Sequence, residues 1–164
     1  MDYASYQSLL EERLQRNFDL ERDYIYRDMK LDLLAKYYVR NEKYVFTKKA
    51  TIYAFENNEL CMIKHFHRIN PEGLHQYTEL LKSAVGDFVN SHDEHMSTLI
   101  TGVIVVDEIP DPEIPKQVKK FKFHKSFAFG FKGWVDVALV LVSLKQNEVI
   151  TNKKGREVEK AYRL

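Results

Sequence analysis

Apolar residues set the first element by their spacing. Tyr3, Tyr6, Leu10 and Leu14 share one face of a helix that Asp2 can cap, and Glu11, Glu12, Arg13 and Arg16 fill much of the other face. This helix is expected to end near Asn17. Phe18, Leu20, Tyr24 and Tyr26 then sit on even positions with Asp19, Glu21 and Asp23 between them. That period of two favours an extended segment over a second helix starting at Asp19. At Met29 the parity switches. Met29, Leu31, Leu33, Ala35, Tyr37 and Val39 alternate with Lys30, Asp32, Lys36 and Arg40, which predicts a strand, although Leu33, Leu34, Tyr37 and Tyr38 also suit a helix. Asn41-Glu42-Lys43 reads as a turn and Tyr44 to Ala54 as the next strand. Asn57-Asn58 reads as a tight turn, because Asn tolerates positive φ, with Leu60 to Phe66 returning from it. Together these predict a three-stranded antiparallel meander.

The clearest helix follows. Asn70 is a good cap, Pro71 suits the first helical position, and Leu74, Tyr77, Leu80, Leu81, Ala84, Val85 and Phe88 form one stripe. It should stop before Ser91, where a polar loop runs to Met96. Leu99 to Val106 is almost continuously apolar and β-branched, as in a strand buried on both faces. Pro110, Pro112 and Pro115 punctuate the next stretch, where Asp111 can cap a short helix carrying Ile114, Val118 and Phe121. Phe123 to Phe131 alternates aromatic and other residues, Gly130 to Gly133 marks a turn, and Trp134 to Leu144 is a long apolar strand. Val149 to Thr151 is expected to pair with Glu157-Val158 across Asn152-Lys153-Lys154-Gly155. No repeat or flexible linker interrupts the chain. The prediction is a single α+β domain over residues 1–164, with a mainly antiparallel sheet, an N-terminal helix and one or two further helices packed on it.

Composition narrows the class. With 164 residues, 45% hydrophobic and 30% charged, the chain is long enough for a core and unlike a disordered, collagen-like or coiled-coil sequence. One cysteine excludes an intrachain disulfide and a Cys-rich zinc module. The absence of a basic-then-apolar leader and of a membrane-length apolar run predicts a cytoplasmic protein without membrane contact. The net charge of +1 conceals a division. Met1 to Pro115 has 13 basic and 20 acidic residues (13 − 20 = −7), whereas Lys116 to Leu164 has 12 and 4 (12 − 4 = +8). A basic half can meet nucleic acid or an acidic protein, or can lie against acidic elements of its own domain.

Three groups of residues carry candidate chemistry. The segment 116–132 is basic, and Lys119, Lys120, Lys122 and Lys125 are its candidate nucleic-acid contacts. If the segment is one strand, Phe123, Phe127, Phe129 and Phe131 project to one face and Lys122, His124 and Lys132 to the other, which suits an amphipathic strand with its aromatics in the core. His65-x-His67 and His92-x-x-His95 are candidate transition-metal ligands, although their spacing fits no named motif, and Cys61 reads as a buried strand residue. Asp107, Glu108, Asp111 and Glu113 follow the buried strand, where carboxylates hold Mg²⁺ or cap a turn and helix. Asp136 interrupts an apolar strand and calls for exposure or a Lys or Arg partner. Phosphate-binding glycine loops, a nucleophile elbow and a cysteine nucleophile constellation are missing, and no cofactor is implied.

The predicted order of helix, three strands, helix and strand resembles the core of restriction-endonuclease-like nucleases over roughly the first two-thirds of the chain. That resemblance implies an acid near the second core strand and an acid-x-Lys motif on the third. The expected second strand offers Thr47-Lys48-Lys49 without an acid, and on the third Lys64 is preceded two positions earlier by Met62, with Glu59 too distant to substitute. The resemblance therefore implies a non-catalytic relative. The sequence itself specifies no substrate. Its leading reading is a non-enzymatic cytoplasmic binding or assembly module contacting nucleic acid through 116–132. The alternative is a metal-dependent hydrolase or nuclease-like enzyme. Ten Tyr and ten Phe also leave room for an aromatic homodimer interface.

Overall fold

The apolar stripes predicted in the sequence bury themselves on opposite faces of one sheet. A computed structural model describes residues 1–43, 53–89, 95–109 and 111–164. In chain order the elements are α1 (Tyr3–Leu14), β1 (Asp19–Tyr26), β2 (Met29–Lys43), β3 (Tyr53–Phe66), α2 (Pro71–Phe88), β4 (His95–Val106), α3 (Glu113–Lys120), β5 (His124–Ser126), β6 (Trp134–Ser143) and β7 (Glu148–Thr151). The sheet runs β1-β2-β3-β4-β6-β5, and β7 also pairs with β6. β1, β2 and β3 form the antiparallel meander, β3, β4 and β6 are parallel neighbours, and β5 and β7 return antiparallel to β6. This is the expected α+β class, with a mostly antiparallel sheet and three helices.

One face of the sheet packs against α2 and α3 through Leu60, Met62, Ile100, Ile104, Val137 and Leu139, which meet Leu74, Tyr77, Leu81, Ile114 and Val118. The other face packs against α1 and the C-terminal segment through Ala35, Cys61, Ile63, Val103, Val105 and Val140, which meet Tyr6, Leu10 and Tyr162. Caps fall where expected. The Asp2 carboxylate accepts the Ser5 N–H at 2.8 Å and the Asn70 side chain accepts the Gly73 N–H at 2.7 Å. α2 approaches the sheet closely at Gly102 on β4. An added Cβ there would meet Leu81 at 2.4 Å and Tyr77 at 3.0 Å. No helix among the described residues is long and apolar enough to cross a membrane.

Strand boundaries depart from expectation in the meander. The even-numbered segment before Met29 is β1, so the meander begins one strand earlier than predicted. Asn41, Glu42 and Lys43 continue β2 and pair with Phe55, Ala54 and Tyr53. Asn57 and Asn58 likewise lie inside β3, opposite Val39 and Tyr38. Pairing along a long ribbon overrides the turn preference of single Asn residues. Residues 44–52 of the strand expected over Tyr44 to Ala54 fall outside the described residues. The predicted turn from Val149-Ile150-Thr151 to Glu157 does not form. Those residues pair with β6 as β7, and 154–157 coils into a 3₁₀ turn.

The C-terminal segment is fastened to both α1 and the sheet. Tyr6 Oη donates to the Tyr162 carbonyl at 2.6 Å, and Tyr162 Oη lies 3.2 Å from Cys61 Sγ. Arg13 donates to the carbonyls of Ala161 and Arg163. Tyr162→Ala removes a buried aromatic and its contact with Cys61 while keeping the carbonyl to which Tyr6 donates, and is expected to cost about 3–5 kcal/mol in a urea denaturation series. Burial pushes the Cys61 thiol up to about 12. At pH 8 its alkylation is expected to be negligible in the folded protein and to follow the unfolding transition when urea is added.

Candidate functional site

The basic segment does not form one alternating strand. Only His124–Ser126 pairs with β6, and the chain around it builds a cleft on one side and an exposed loop on the other. α3 buries Ile114 and Val118 and carries Lys119 and Lys120 outward at its end. Phe121 to Phe123 then crosses the β6 edge, where the Val137 N–H donates to the Phe123 carbonyl at 3.2 Å. The resulting cleft, about 440 Å³, is lined by Lys119, Lys120, Lys122, Lys153, Lys154, His124, Phe121 and Phe123, with Asp136 and Asn152 in its wall. Three of the four lysines singled out in the sequence thus share one cavity with two that were not. Lys119, Lys120, Lys122 and Lys153 make no ion pair among the described residues. Lys154 is held at 2.9 Å from Glu157 and 3.6 Å from Asp136, and these carboxylates raise its pKa. Asp136 thus has the lysine partner that its position called for, and His124 Nδ1 adds a second contact at 2.6 Å.

Lys125 points elsewhere, its ammonium 5.4 Å over the Phe127 ring. From Phe127 the chain turns through Ala128 and Phe129, both at positive φ (47° and 56°), and closes through the Phe127 N–H to the Gly133 carbonyl at 3.0 Å. The expectation of four core aromatics is therefore corrected. Phe123 and Phe127 pack against the core, whereas Phe129 is 101% and Phe131 83% exposed. The 3₁₀ turn Ala128–Gly130 breaks the period of two and turns the last two rings outward.

Asn152 fixes the wall of the cleft. It is 2% exposed and uses every valence of its side chain on backbone. Oδ1 accepts from the N–H groups of Leu139 at 2.9 Å and Gly155 at 2.8 Å, while Nδ2 donates to the carbonyls of Val137 at 3.1 Å and Phe121 at 3.2 Å. Gly155 lies so close that an added Cβ would come within 2.9 Å of the Leu139 carbonyl.

A second cluster sits at the carboxyl ends of β3 and β4. His65 Nε2 lies 2.7 Å from one Asp107 oxygen and His67 Nδ1 lies 2.9 Å from the other. These contacts hold the Asp107 carboxyl below the usual carboxylate range. The His65 ring stacks on Tyr3 at 4.0 Å, and its backbone N–H donates to Asp32 at 2.8 Å. Lys64 Nζ is 3.9 Å from the same Asp32 carboxylate. A cleft of about 710 Å³ opens beside the cluster, and Glu108 in its wall pairs with Lys145 at 2.7 Å and Arg68 at 3.3 Å.

The four-histidine arrangement is not formed as expected. β3 and β4 are parallel, so His65 pairs with Val105, whereas His95 pairs with Phe55 at the far end. His95 thus starts β4 ten positions before Val105, roughly 33 Å away along the strand. His92 lies outside the described residues. Asp107 takes the place of that pair. The signal was available in the sequence, because a helix between two strands implies a parallel crossover that brings their carboxyl ends together.

A family model described as Domain of unknown function (DUF8052) matches residues 2–164. No curated protein and no solved structure matches the chain.

The cleft wall can be tested directly. Asn152→Ala orphans two buried N–H groups and two carbonyls, and is expected to lower stability by at least about 3 kcal/mol in chemical denaturation. Asn152→Asp should be destabilising too, because a carboxylate cannot donate to Val137 and Phe121.

Proposed function

Because the chain belongs to the DUF8052 family across residues 2–164, whose description assigns no activity, we propose from its own residues that it is a non-enzymatic cytoplasmic module binding single-stranded nucleic acid through the segment 116–132. One observation carries the reading. Two exposed phenylalanines, Phe129 and Phe131, stand on a loop that continues directly from a cleft lined by four lysines without ion pairs among the described residues. Single strands are held by cations along the phosphates and by aromatic rings on which unpaired bases stack, and both are present on one segment. The lysines supply affinity without base selection, and the rings tolerate any base.

An acidic protein would meet the same lysines but would leave the two rings without planar partners. The helix–three strands–helix–strand order also supports the proposed resemblance to the restriction-endonuclease-like core, now with Asp32 on the second strand beside Lys64 of the third. Met62 still stands where that family's motif has its second acid, and it is fully buried. This favours a relative that holds nucleic acid without cutting it.

Fluorescence anisotropy with labelled oligodeoxythymidylate and oligouridylate tests the reading. Log affinity is expected to fall linearly with log salt, with a slope near −0.7 for each phosphate contacted. Lys119→Ala, Lys120→Ala and Lys122→Ala should each make that slope shallower. Phe129→Ala and Phe131→Ala should weaken binding by about 1–3 kcal/mol per stacked base and leave the slope unchanged. No binding at low salt, or a flat salt response, would reject the proposal. A dimer by light scattering that dissociates in the two phenylalanine variants, without oligonucleotide binding, would assign the loop to self-association.

A further inference from the structure

We propose that His65, His67 and Asp107 form a site for one divalent transition-metal ion with open coordination positions. The argument is geometric. The three ligand atoms lie within 4.8 Å of one another. Metal–ligand bonds of about 2.0–2.2 Å place neighbouring ligand atoms roughly 3.0 Å apart at right angles and roughly 3.4 Å apart in a tetrahedron. His65 Nε2 already stands 2.7 Å from one Asp107 oxygen and His67 Nδ1 2.9 Å from the other, so each nitrogen faces the carboxylate at close to that size. To bind one ion, the carboxylate must turn or offer both oxygens, and the histidine nitrogens, which start within 4.8 Å of each other, must draw in around it. His67 is 89% exposed on its side chain, so its ring can swing inward without displacing a core residue.

The remaining partners are fixed. His65 is 14% exposed, clamped by the Tyr3 ring on one face and tied to Asp32 through its backbone N–H. Asp107 follows directly on β4, so the parallel register of two neighbouring strands aligns the set. Glu108 is kept out of it by Lys145 and Arg68, which hold its oxygens. Two imidazoles and one carboxylate favour zinc, iron(II), cobalt(II) or a similar ion over magnesium or calcium, which prefer all-oxygen surroundings. The protein supplies three ligands, and the cleft beside them leaves the other positions to water or a small oxygen donor. This is the pattern of open metal sites, in contrast to closed structural ones. The proposal is independent of nucleic-acid binding, because the lysine cleft adjoins the start of β6 and this cluster the end of β4.

Cobalt(II) titration of chelator-treated protein tests it, read by visible d–d absorption, with zinc competition as the second readout. One equivalent is expected to bind and to be displaced by zinc. His67→Ala and Asp107→Asn should each weaken binding at least tenfold, with unchanged circular dichroism showing that the fold persists. His75→Ala, an exposed α2 histidine, should bind as the parent does. Absence of saturable binding, or saturable binding that neither His67→Ala nor Asp107→Asn alters, would overturn the proposal.

Discussion

The outer edge of β6 is the constraint on which the basic half of the molecule depends. Two short strands share that edge, β5 at residues 134–136 and β7 at residues 140–143, and neither covers the backbone between them. Unpaired N–H and carbonyl groups in this interval would each cost about 1–3 kcal/mol if buried. Asn152 fills the gap with an amide that mimics a peptide group, giving and accepting in the order that a strand would. The same amide reaches Phe121, so the end of α3 is tied to β6 by the residue that seals the edge. The position of the lysine cleft follows from this splice. Lys119, Lys120 and Lys122 lie on the segment that it anchors, and Lys153 and Lys154 follow it directly in the chain.

Charge in the chain is sorted in space as well as in sequence. The basic C-terminal portion is only partly neutralised by acidic elements. Lys116 pairs with Glu113 and Lys145 with Glu108 across the sequence division, while Lys154 finds Asp136 and Glu157 within its own half. The remaining cleft lysines are left to solvent or a partner. The histidine–aspartate cluster gathers where β3 and β4 end, with His65 on the last rungs of their ladder and His67 and Asp107 just past it. Parallel strands thus carry one set of candidate groups at their start and another at their finish, with the apolar middle of the sheet between them.

Both main helices, the class of the fold and the apolar centre of the sheet were legible because burial imposes a period on the sequence. Tyr6, Leu10 and Leu14 disappear into one face, and Leu74, Tyr77 and Leu81 into the other, as their spacing required. Boundaries in the meander were less legible, since Asn41, Asn57 and Asn58 carry a local turn preference that long-range pairing overrules. His65, His67 and Asp107 were each visible as single residues. Their convergence was implied by the helical crossover between β3 and β4, but the register that aligns them is set by packing and not by any local pattern. Phe129 and Phe131 looked like core residues from alternation alone, and only two successive positive φ angles place them outside.

The sheet's other margin, β1, carries Asp19, Glu21, Arg22 and Asp23 in a row, and Asp23 takes a positive φ of 54° that interrupts its ladder with β2. A strand from another molecule seeking to extend the sheet there would meet a kinked backbone and a line of carboxylates. Fibrillar stacking through this border is therefore blocked from within the chain. Contact between copies at this border is left to side chains, which single substitutions can alter without changing the strand pairing.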